Sequence, residues 1–514
     1  MRSWAISSAS ASRAIAMGSL AAALLGLPVA VELNEPDARR VSMGALASDR
    51  TPLTERVSLS NHLSLTLDGG LVSPATSSGN AVRLHIDDAA LTLDLRKAGV
   101  APESQLPEPQ PPLVARIAGF NAGVLIFRGA TLNVVSPSGR HHVLSDVNAT
   151  ISAVRKGSFK LVGTGRFNGQ RISLEGAWSD PPLREGAQLP LRLTLRSAFL
   201  EAAFDGHLSA NGMLMLTGHA EVRAQSLRRL AAWTGFGGGG DLMRSVTVAG
   251  PVEWSTSQMA FARASVDLDG NQATGALIFK FSGPRPSVDA TLAFQELDLS
   301  RVLGPAGASQ NPASEGGPRF LSTFDADLRV SASRIRAASV DTGRGAITIA
   351  LNQGRLAADL VDFEIEGGTA HAQLNLDVNQ KAPIAAIKLK AKGVDTGRLL
   401  AAQLRRNPLL GRANITFEGT TDSSSLADSP MRLSGRGQLE LAEPGRLGLD
   451  LAALAYAAKA APVVGWSAAG KGGTPFDNLT CRFRLLNGAV TLETVQARSG
   501  EQAVTASGQI DVPG

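Results

Sequence analysis

Short runs of strict apolar and polar alternation dominate this chain. Leu277, Phe279 and Phe281 share one parity, as do Val288, Ala290, Leu292 and Phe294, and the rhythm returns at Leu374, Leu376 and Val378 and again at Ile387 and Leu389. Period-2 alternation places one apolar row on one face of a strand, and that row must be covered by something apolar. These runs belong to two ungapped copies of one module, 269–303 and 366–400. Gly270 falls on Gly367, Leu277 on Leu374, Pro286 on Pro383, Leu292 on Leu389, Asp298 on Asp395 and Arg301 on Arg398. Each copy reads as an acidic-Gly turn, a strand, a turn ending in Pro, a second strand and a short helical closure, Asp-x-x-Arg-x-Leu. The segment 226–233, SLRRLAAW, reads as a third closure.

Strand patterning continues on both sides of the repeat. Gly123–Trp178 carries strands of five to ten residues between Gly and Ser-Gly turns, and Asn487-Gly488 marks a hairpin near the C-terminus. Within 359–366 the alternation puts Asp362, Glu364 and Glu366 on a solvated face opposite Val361, Phe363 and Ile365. One helix is predicted over 450–461, and flexible loops at 235–241 and 304–318. The Pro-rich stretch 101–112 reads as an extended linker. An uncharged run, 14–31, follows Arg2 and Arg13 and ends at Glu32. It suits an uncleaved signal anchor, or a cleaved signal peptide, and either places the rest of the chain outside the cytoplasm.

The predicted architecture is mainly β: an elongated antiparallel β-sheet of repeated modules bent into a groove or a sandwich, with few short helices and an N-terminal transmembrane helix. Three regions follow: an anchor over 1–32, a partly ordered region over 33–112 that ends in the linker, and a repeated β body over 113–514.

Composition narrows the chemistry. Among 514 residues there are 54 Gly and 26 Pro, which suit many short strands, and aromatic residues make up only 4%. The net charge is +5, with acids and bases interleaved along the sequence. A nucleic-acid binder would cluster its basic residues beside stacking aromatics, so no nucleic-acid partner is expected. The single cysteine, Cys481, lies in an alternating run and reads as a small hydrophobe. Adjacent His141 and His142 read as a solvated turn pair that cannot share a metal. The stretch 465–472 approaches a phosphate loop but has Gly472 where a Ser or Thr would hold magnesium. No catalytic residue, cofactor or metal is expected, and the chain reads as a non-enzyme.

The repeated turn-strand-Pro-strand closure, the segment FRGATLNVVSPSGRHHVLSDVNATIS within 123–165, and the C-terminal segments 437–454 and 476–512 resemble the AsmA-like proteins of the Gram-negative envelope. That resemblance implies a single-pass inner-membrane protein whose periplasmic β body forms an apolar groove, handles phospholipid or supports outer-membrane assembly, and has no catalytic residues. Its expected partners are phospholipid or another acyl-chain ligand, the inner membrane through the anchor, and envelope assembly proteins. Alternating strands allow the same reading, because an apolar row not closed by a second sheet can shelter acyl chains. The residues predicted to line such a groove are Leu277, Phe279, Leu292, Phe294, Leu374, Leu376 and Leu389. An ordinary dry sandwich core is the competing reading of those residues, and a scaffold that binds envelope proteins without carrying lipid is the competing function.

Overall fold

The computed structural model describes residues 51–511 except 61–62, 77–81, 95–121, 136–140, 156–157, 180–187, 210–214, 235–244, 256, 282–284, 300, 302–320, 338–339, 381–382, 402–408, 422–432, 442, 449, 454–472 and 487–488. The apolar run at 14–31, the Pro-rich linker, the loops at 235–241 and 304–318, the stretch 465–472 and most of the predicted helix at 450–461 lie outside the described residues. No described helix is long and apolar enough to cross a membrane.

Strands β1 (Thr51–Ser60) and β2 (Leu63–Thr76) pair antiparallel. β2 also pairs with β3 (Val82–Asp87) and β4 (Ala90–Asp94), one strand line interrupted at Asp88, whose φ is 56°. β5 (Ala122–Val135) then lies parallel to β3 and β4. That pairing departs from the antiparallel order the sequence predicts. A parallel neighbour needs a crossover of a dozen or more residues, and the intervening 95–121 is long enough.

From β5 the described chain proceeds by antiparallel neighbours. β6 (His141–Arg155), β7 (Ser158–Phe167), β8 (Gln170–Ser179), β9 (Leu189–Ser197), β10 (Glu201–Ser209) and β11 (Met215–Ala224) each pair with the preceding strand. Helix α1 (Leu227–Thr234) follows, and β12 (Val246–Ser255) returns beside β11, with β13 (Gln258–Leu268) next. β14 (Asn271–Lys280) and β15 (Ser287–Asp298) are the strands of the first repeat copy.

The strands that follow are β16 (Asp325–Ala337), β17 (Val340–Thr342), β18 (Gly345–Asn352), β19 (Arg355–Ile365), β20 (Gly368–Asp377) and β21 (Ile384–Asp395), the last two being the second copy. Helix α2 (Thr396–Ala401) closes that copy. Then come β22 (Leu409–Leu410), β23 (Arg412–Thr421), β24 (Ser434–Leu441), β25 (Gly445–Leu447), β26 (Thr474–Phe476), β27 (Asn478–Leu486), β28 (Ala489–Ser499) and β29 (Gln502–Asp511). β16, β18, β19, β20, β21, β23, β24, β27, β28 and β29 form one antiparallel ladder in that order. β22, β25 and β26 make a separate three-stranded sheet. Packing divides the chain into two compact units: Met1–Gly237 with Arg244–Asp267 and Gly275–Val288, and Gly238–Met243 with Leu268–Thr274 and Asp289–Gly514.

The repeat grammar has a clear physical basis. Asp269-Gly270 and Glu366-Gly367 both hold positive φ at two successive residues, the geometry of the tightest hairpin turn, and Asn168-Gly169 and Gln353-Gly354 do the same. Each closure is tied to such a turn. In the first copy the Asp298 amide donates to Asn271 Oδ1 at 2.7 Å. In the second, the Asp395 amide donates to the Glu366 carbonyl at 3.0 Å. Asp395 also caps α2 by accepting from the Arg398 amide at 3.1 Å, which satisfies a first-turn donor that the helix itself cannot. The third closure docks likewise, since the Trp233 indole donates to the Phe167 carbonyl at 2.8 Å and Asn168 Nδ2 donates to the Trp233 carbonyl at 2.8 Å. It follows its turn after β8 to β11, whereas the two copies close after a single strand pair.

Bulges correct the alternation at defined points. Asp362 has φ 52°, and the β19–β20 register shifts between Leu360 and Phe363. Val361 therefore turns outward beside Ala346 and is exposed, while Phe363 and Ile365 pack inward. The sequence pattern had placed all three together. The extra residue of a bulge moves everything beyond it to the opposite face. Two bulges share a latch: the Gly129 amide donates to Asn148 Oδ1 at 3.2 Å, and the Gly393 amide donates to Asn414 Oδ1 at 3.0 Å. Each Asn lies on the neighbouring strand, and each Gly has φ near +60°. His141 and His142 lie on β6 rather than in a turn, the first exposed and the second buried.

Candidate functional site

The antiparallel ladder of the second unit carries one apolar face, which cross-strand register arranges in rows. One central row runs Leu328, Ile349, Ala358, Leu374, Ile387, Gly419, Gly435, Leu485 and Val490. The next runs Val330, Ile347, Leu360, Ala372, Leu389, Phe417, Gly437, Phe483 and Leu492. Not one residue of these two rows is fully buried. The margins are. On one side Leu351, Leu376, Ala385 and Thr421 are buried, and on the other Val394, Ala413, Leu441 and Leu479. A dry sandwich has the opposite profile, with its centre most buried and its edges most exposed.

Specific packing closes each margin. Leu376, Val378 and Ala385 form one cluster, with Leu321, Leu356 and Leu374 against it. At the far margin, Leu409 from β22 and Phe476 from β26 pack on Ala413, Leu441 and Leu479, and Leu447 from β25 joins them. The three-stranded sheet thus covers one end of the strands and leaves the middle open. α2 is fastened there too, because Thr396 Oγ1 donates to the Gly411 carbonyl at 2.8 Å.

Glycines shape the floor. Gly419 and Gly435 face each other across β23 and β24. A Cβ at Gly419 would stand 2.7 Å from Phe417 Cζ, and one at Gly437 would stand 2.8 Å from two ring carbons of Phe483. Only bare backbone lets these rings lie down over the neighbouring strands. The two phenyl planes lie 9° apart with centroids 6.4 Å apart, on either side of Gly437. They pave the floor instead of projecting from it. The first unit repeats this device, with Phe204 Cζ lying 2.8 Å from a Cβ placed at Gly206. There, however, the apolar face is buried along its middle, at Leu125, Ile151, Leu161, Leu193 and Phe204.

The residues predicted to line a groove fall into different places. Leu374 and Leu389 sit on the open floor, opposite Ile387 and Ala372 respectively. Leu376 belongs to the buried margin at 4% exposure. In the first copy Leu277, Leu292 and Phe294 are buried and Phe279 is half-buried. Sequence reading missed Ile347, Ile349, Leu360, Phe417 and Phe483. The pair Phe417-x-Gly419, matched by Phe204-x-Gly206, was the available signal. Cys481 lies half-buried between Leu439 and Val495, where burial raises its thiol pKa.

Residues 312–495 match the AsmA family. This part of the chain is AsmA-like. The AsmA-like stretch spans β16 to β27 and enters β28, so it contains nearly all of the strands that carry the open floor. No curated protein and no solved structure matches the chain significantly.

Proposed function

We propose that the chain is a non-enzymatic envelope-biogenesis protein whose second unit shelters acyl chains of phospholipid on its open apolar floor. The observation that carries this reading is the inverted burial profile, with a half-buried apolar centre between buried margins. Nine strands at about 4.8 Å spacing give a floor about 38 Å long. The acyl region of one bilayer leaflet is about 15 Å deep, half of a hydrocarbon core of about 30 Å. The floor therefore accepts a full acyl chain with length to spare. Each methylene it covers contributes about 0.8 kcal/mol. AsmA likeness over the same strands supports the assignment. We further propose that the apolar run at 14–31 anchors the protein in the inner membrane, with the β body in the periplasm.

The test is site-specific photo-crosslinking in cells with a photoreactive amino acid at Leu389 or Phe417 and, as controls, at the exposed Lys160 or Glu175 of the first unit. Lipid adducts at the first pair alone are expected. Equal lipid capture at both pairs, or none, refutes the proposal and favours the scaffold function.

A further inference from the structure

The face of the second unit that lies opposite the floor is polar, and its register assembles cations that the sequence keeps apart. Lys388, Lys390 and Lys392 project from β21, Arg436 from β24, and Arg482 and Arg484 from β27, all exposed. Register aligns Lys388 with Glu418, Arg436 and Arg484 in one row, and Lys390 with Thr416, Gln438 and Arg482 in the next. Four carboxylates lie on these strands, on β23 and on β28; one of them, Asp395 at the end of β21, pairs with Arg398 at 3.7 Å. Glu418 lies 3.8 Å from Lys388, Glu493 lies 2.7 Å from Arg484, and Glu440 accepts from Gln438. Lys390, Lys392, Arg436 and Arg482 have no carboxylate within ion-pair distance among the described residues. In the first unit Arg166, Arg192, Arg196 and Arg223 each meet an acid, and Arg128, Lys160 and Arg171, which do not among the described residues, share no cross-strand row.

A second observation comes from the same face. Ile384 and Leu486 stand at its margin, 43% and 57% exposed, large aliphatic side chains on a side made mostly of charged and polar residues with Ala386 among them. Ile384 lies opposite Asp377 and Leu486 opposite Ala489, so both point away from the floor. The cations are bordered by Thr416, Gln438, Thr491 and Thr494 and lack the buried Trp or Tyr anchor of a protein interface. Nor is there a base-stacking platform. Cations in a plane with aliphatic side chains at its border match an anionic lipid surface, which attracts the charges and accepts the aliphatic groups.

We propose that this outer face docks on an anionic phospholipid membrane surface and so holds the unit flat against it. The proposal stands independently of the floor reading, because it concerns the opposite face and needs no bound acyl chain. Strand spacing puts the cations roughly 7 Å apart along a strand and about 5 Å apart between β24 and β27, with β21 two strand spacings, roughly 10 Å, from β24. Each cation near an anionic surface strengthens binding roughly fivefold, an effect confined to the Debye length.

The test is flotation of the full chain with vesicles of phosphatidylcholine, with and without phosphatidylglycerol. Both arms share the N-terminal apolar run, so the reading is the difference between the two compositions. The wild type is expected to bind the anionic vesicles at least tenfold better at low salt, with the preference lost at about 1 M salt, where the Debye length is about 3 Å. Substituting Lys390, Arg436 and Arg482 with Gln together should abolish most of that preference. The same charge change at Arg128, Lys160 and Arg171 of the first unit should leave it intact. Ile384→Ser with Leu486→Ser should lower the fraction that stays bound in salt. Circular dichroism should show all variants folded. Equal losses in the two triple variants, or no preference in the wild type, overturn the proposal. Binding to polyglutamate without binding to anionic vesicles also overturns it, and assigns the patch to an acidic protein.

Discussion

Leu389→Ala and Leu376→Ala remove the same atoms from adjacent strands of one apolar face, yet they should behave oppositely. Leu376 is 4% exposed and packed among Val378, Ala385 and Leu356. Its truncation leaves a cavity, and buried Leu→Ala changes cost about 2–5 kcal/mol. Leu389 is only partly buried, packed on one side against Ala370, Ala391 and Val394, so its truncation loses about 1–2 kcal/mol of transfer free energy and leaves a smaller cavity. The order of binding effects reverses. A bound acyl chain would cover the exposed part of Leu389, and losing that contact, at most about 1 kcal/mol, weakens retention by up to about fivefold. Adding Phe417→Ala should bring the loss to at most roughly 30-fold, since its ring is partly buried in the same row. Urea unfolding of each variant, with retention of a fluorescent phospholipid measured in parallel, separates the two effects. If Leu389→Ala destabilises as much as Leu376→Ala while retention is unchanged, the centre of the face is a dry core and the reasoning fails.

Gly437→Ala should destabilise by about 1–3 kcal/mol, because the new methyl meets the Phe483 ring; thermal unfolding reports it, and Phe483→Leu in the same chain should recover part of the loss. Asn414→Ala should strip the bulged Gly393 amide of its acceptor, costing about 1 kcal/mol and speeding hydrogen exchange at Gly393; unchanged exchange would mean that the latch does not support the bulge. The Asn379 amide foremost, with its side chain and Arg355, holds the Asp377 carboxyl below the ordinary carboxylate range. Support for that turn is therefore complete above the unfolded carboxylate pKa and is lost as pH falls through the lowered value; Asp377→Asn should remove this acid dependence from amide exchange at Asn379. Cys481 should react with maleimide more slowly than a free cysteine at pH 8, because burial keeps the thiol protonated, and bound phospholipid should slow it further; a rate equal to that of free cysteine would contradict the burial.

Much of the local structure was legible because it is written in short range. The two repeat copies, their acidic-Gly turns and the Asp-x-x-Arg closures all depend on residues a few positions apart; the turns and the second copy's closure are present, while 300, 302 and 303 of the first closure lie outside the described residues. Long-range register was not legible. A bulge at Asp362 reverses Val361, and bulges at Gly129 and Gly393 shift the strands beyond them, yet each looks in sequence like one more residue of a strand. The open floor is likewise a property of rows across strands. Nothing in Leu374 or Leu376 alone says that the first is accessible and the second sealed. The same limit hid the basic face, since 388 and 484 are far apart in the chain and acids intervene. Cross-strand register leaves Lys390, Lys392, Arg436 and Arg482 of this face without an acid in ion-pair reach among the described residues, although Glu418 and Glu493 stand between them.

The energetics of the floor argue against reading it as an accident of loose packing. Its two central rows include Leu328, Val330, Ile347, Ile349, Leu360, Leu374, Ile387, Leu389, Phe417, Phe483, Leu485, Val490 and Leu492, none of them fully buried. Each forfeits a few tenths of a kcal/mol up to about 1 kcal/mol relative to full burial, several kcal/mol together, a sizeable share of the roughly 5–15 kcal/mol that holds a whole domain folded. A second sheet across the middle would recover that free energy. The chain does have an extra sheet, β22 with β25 and β26, but it covers only the strand ends around Ala413 and Leu441. Glycines at 419, 435 and 437 add to the effect, since a side chain there would fill the space above the floor, and their absence lets Phe417 and Phe483 lie down and keep it open. An apolar surface kept low, continuous and uncovered at this cost is explained by an apolar guest that returns the free energy when it binds. Saturating the protein with phospholipid should therefore raise its unfolding midpoint, and the rise should shrink in Leu389→Ala while persisting in Leu376→Ala.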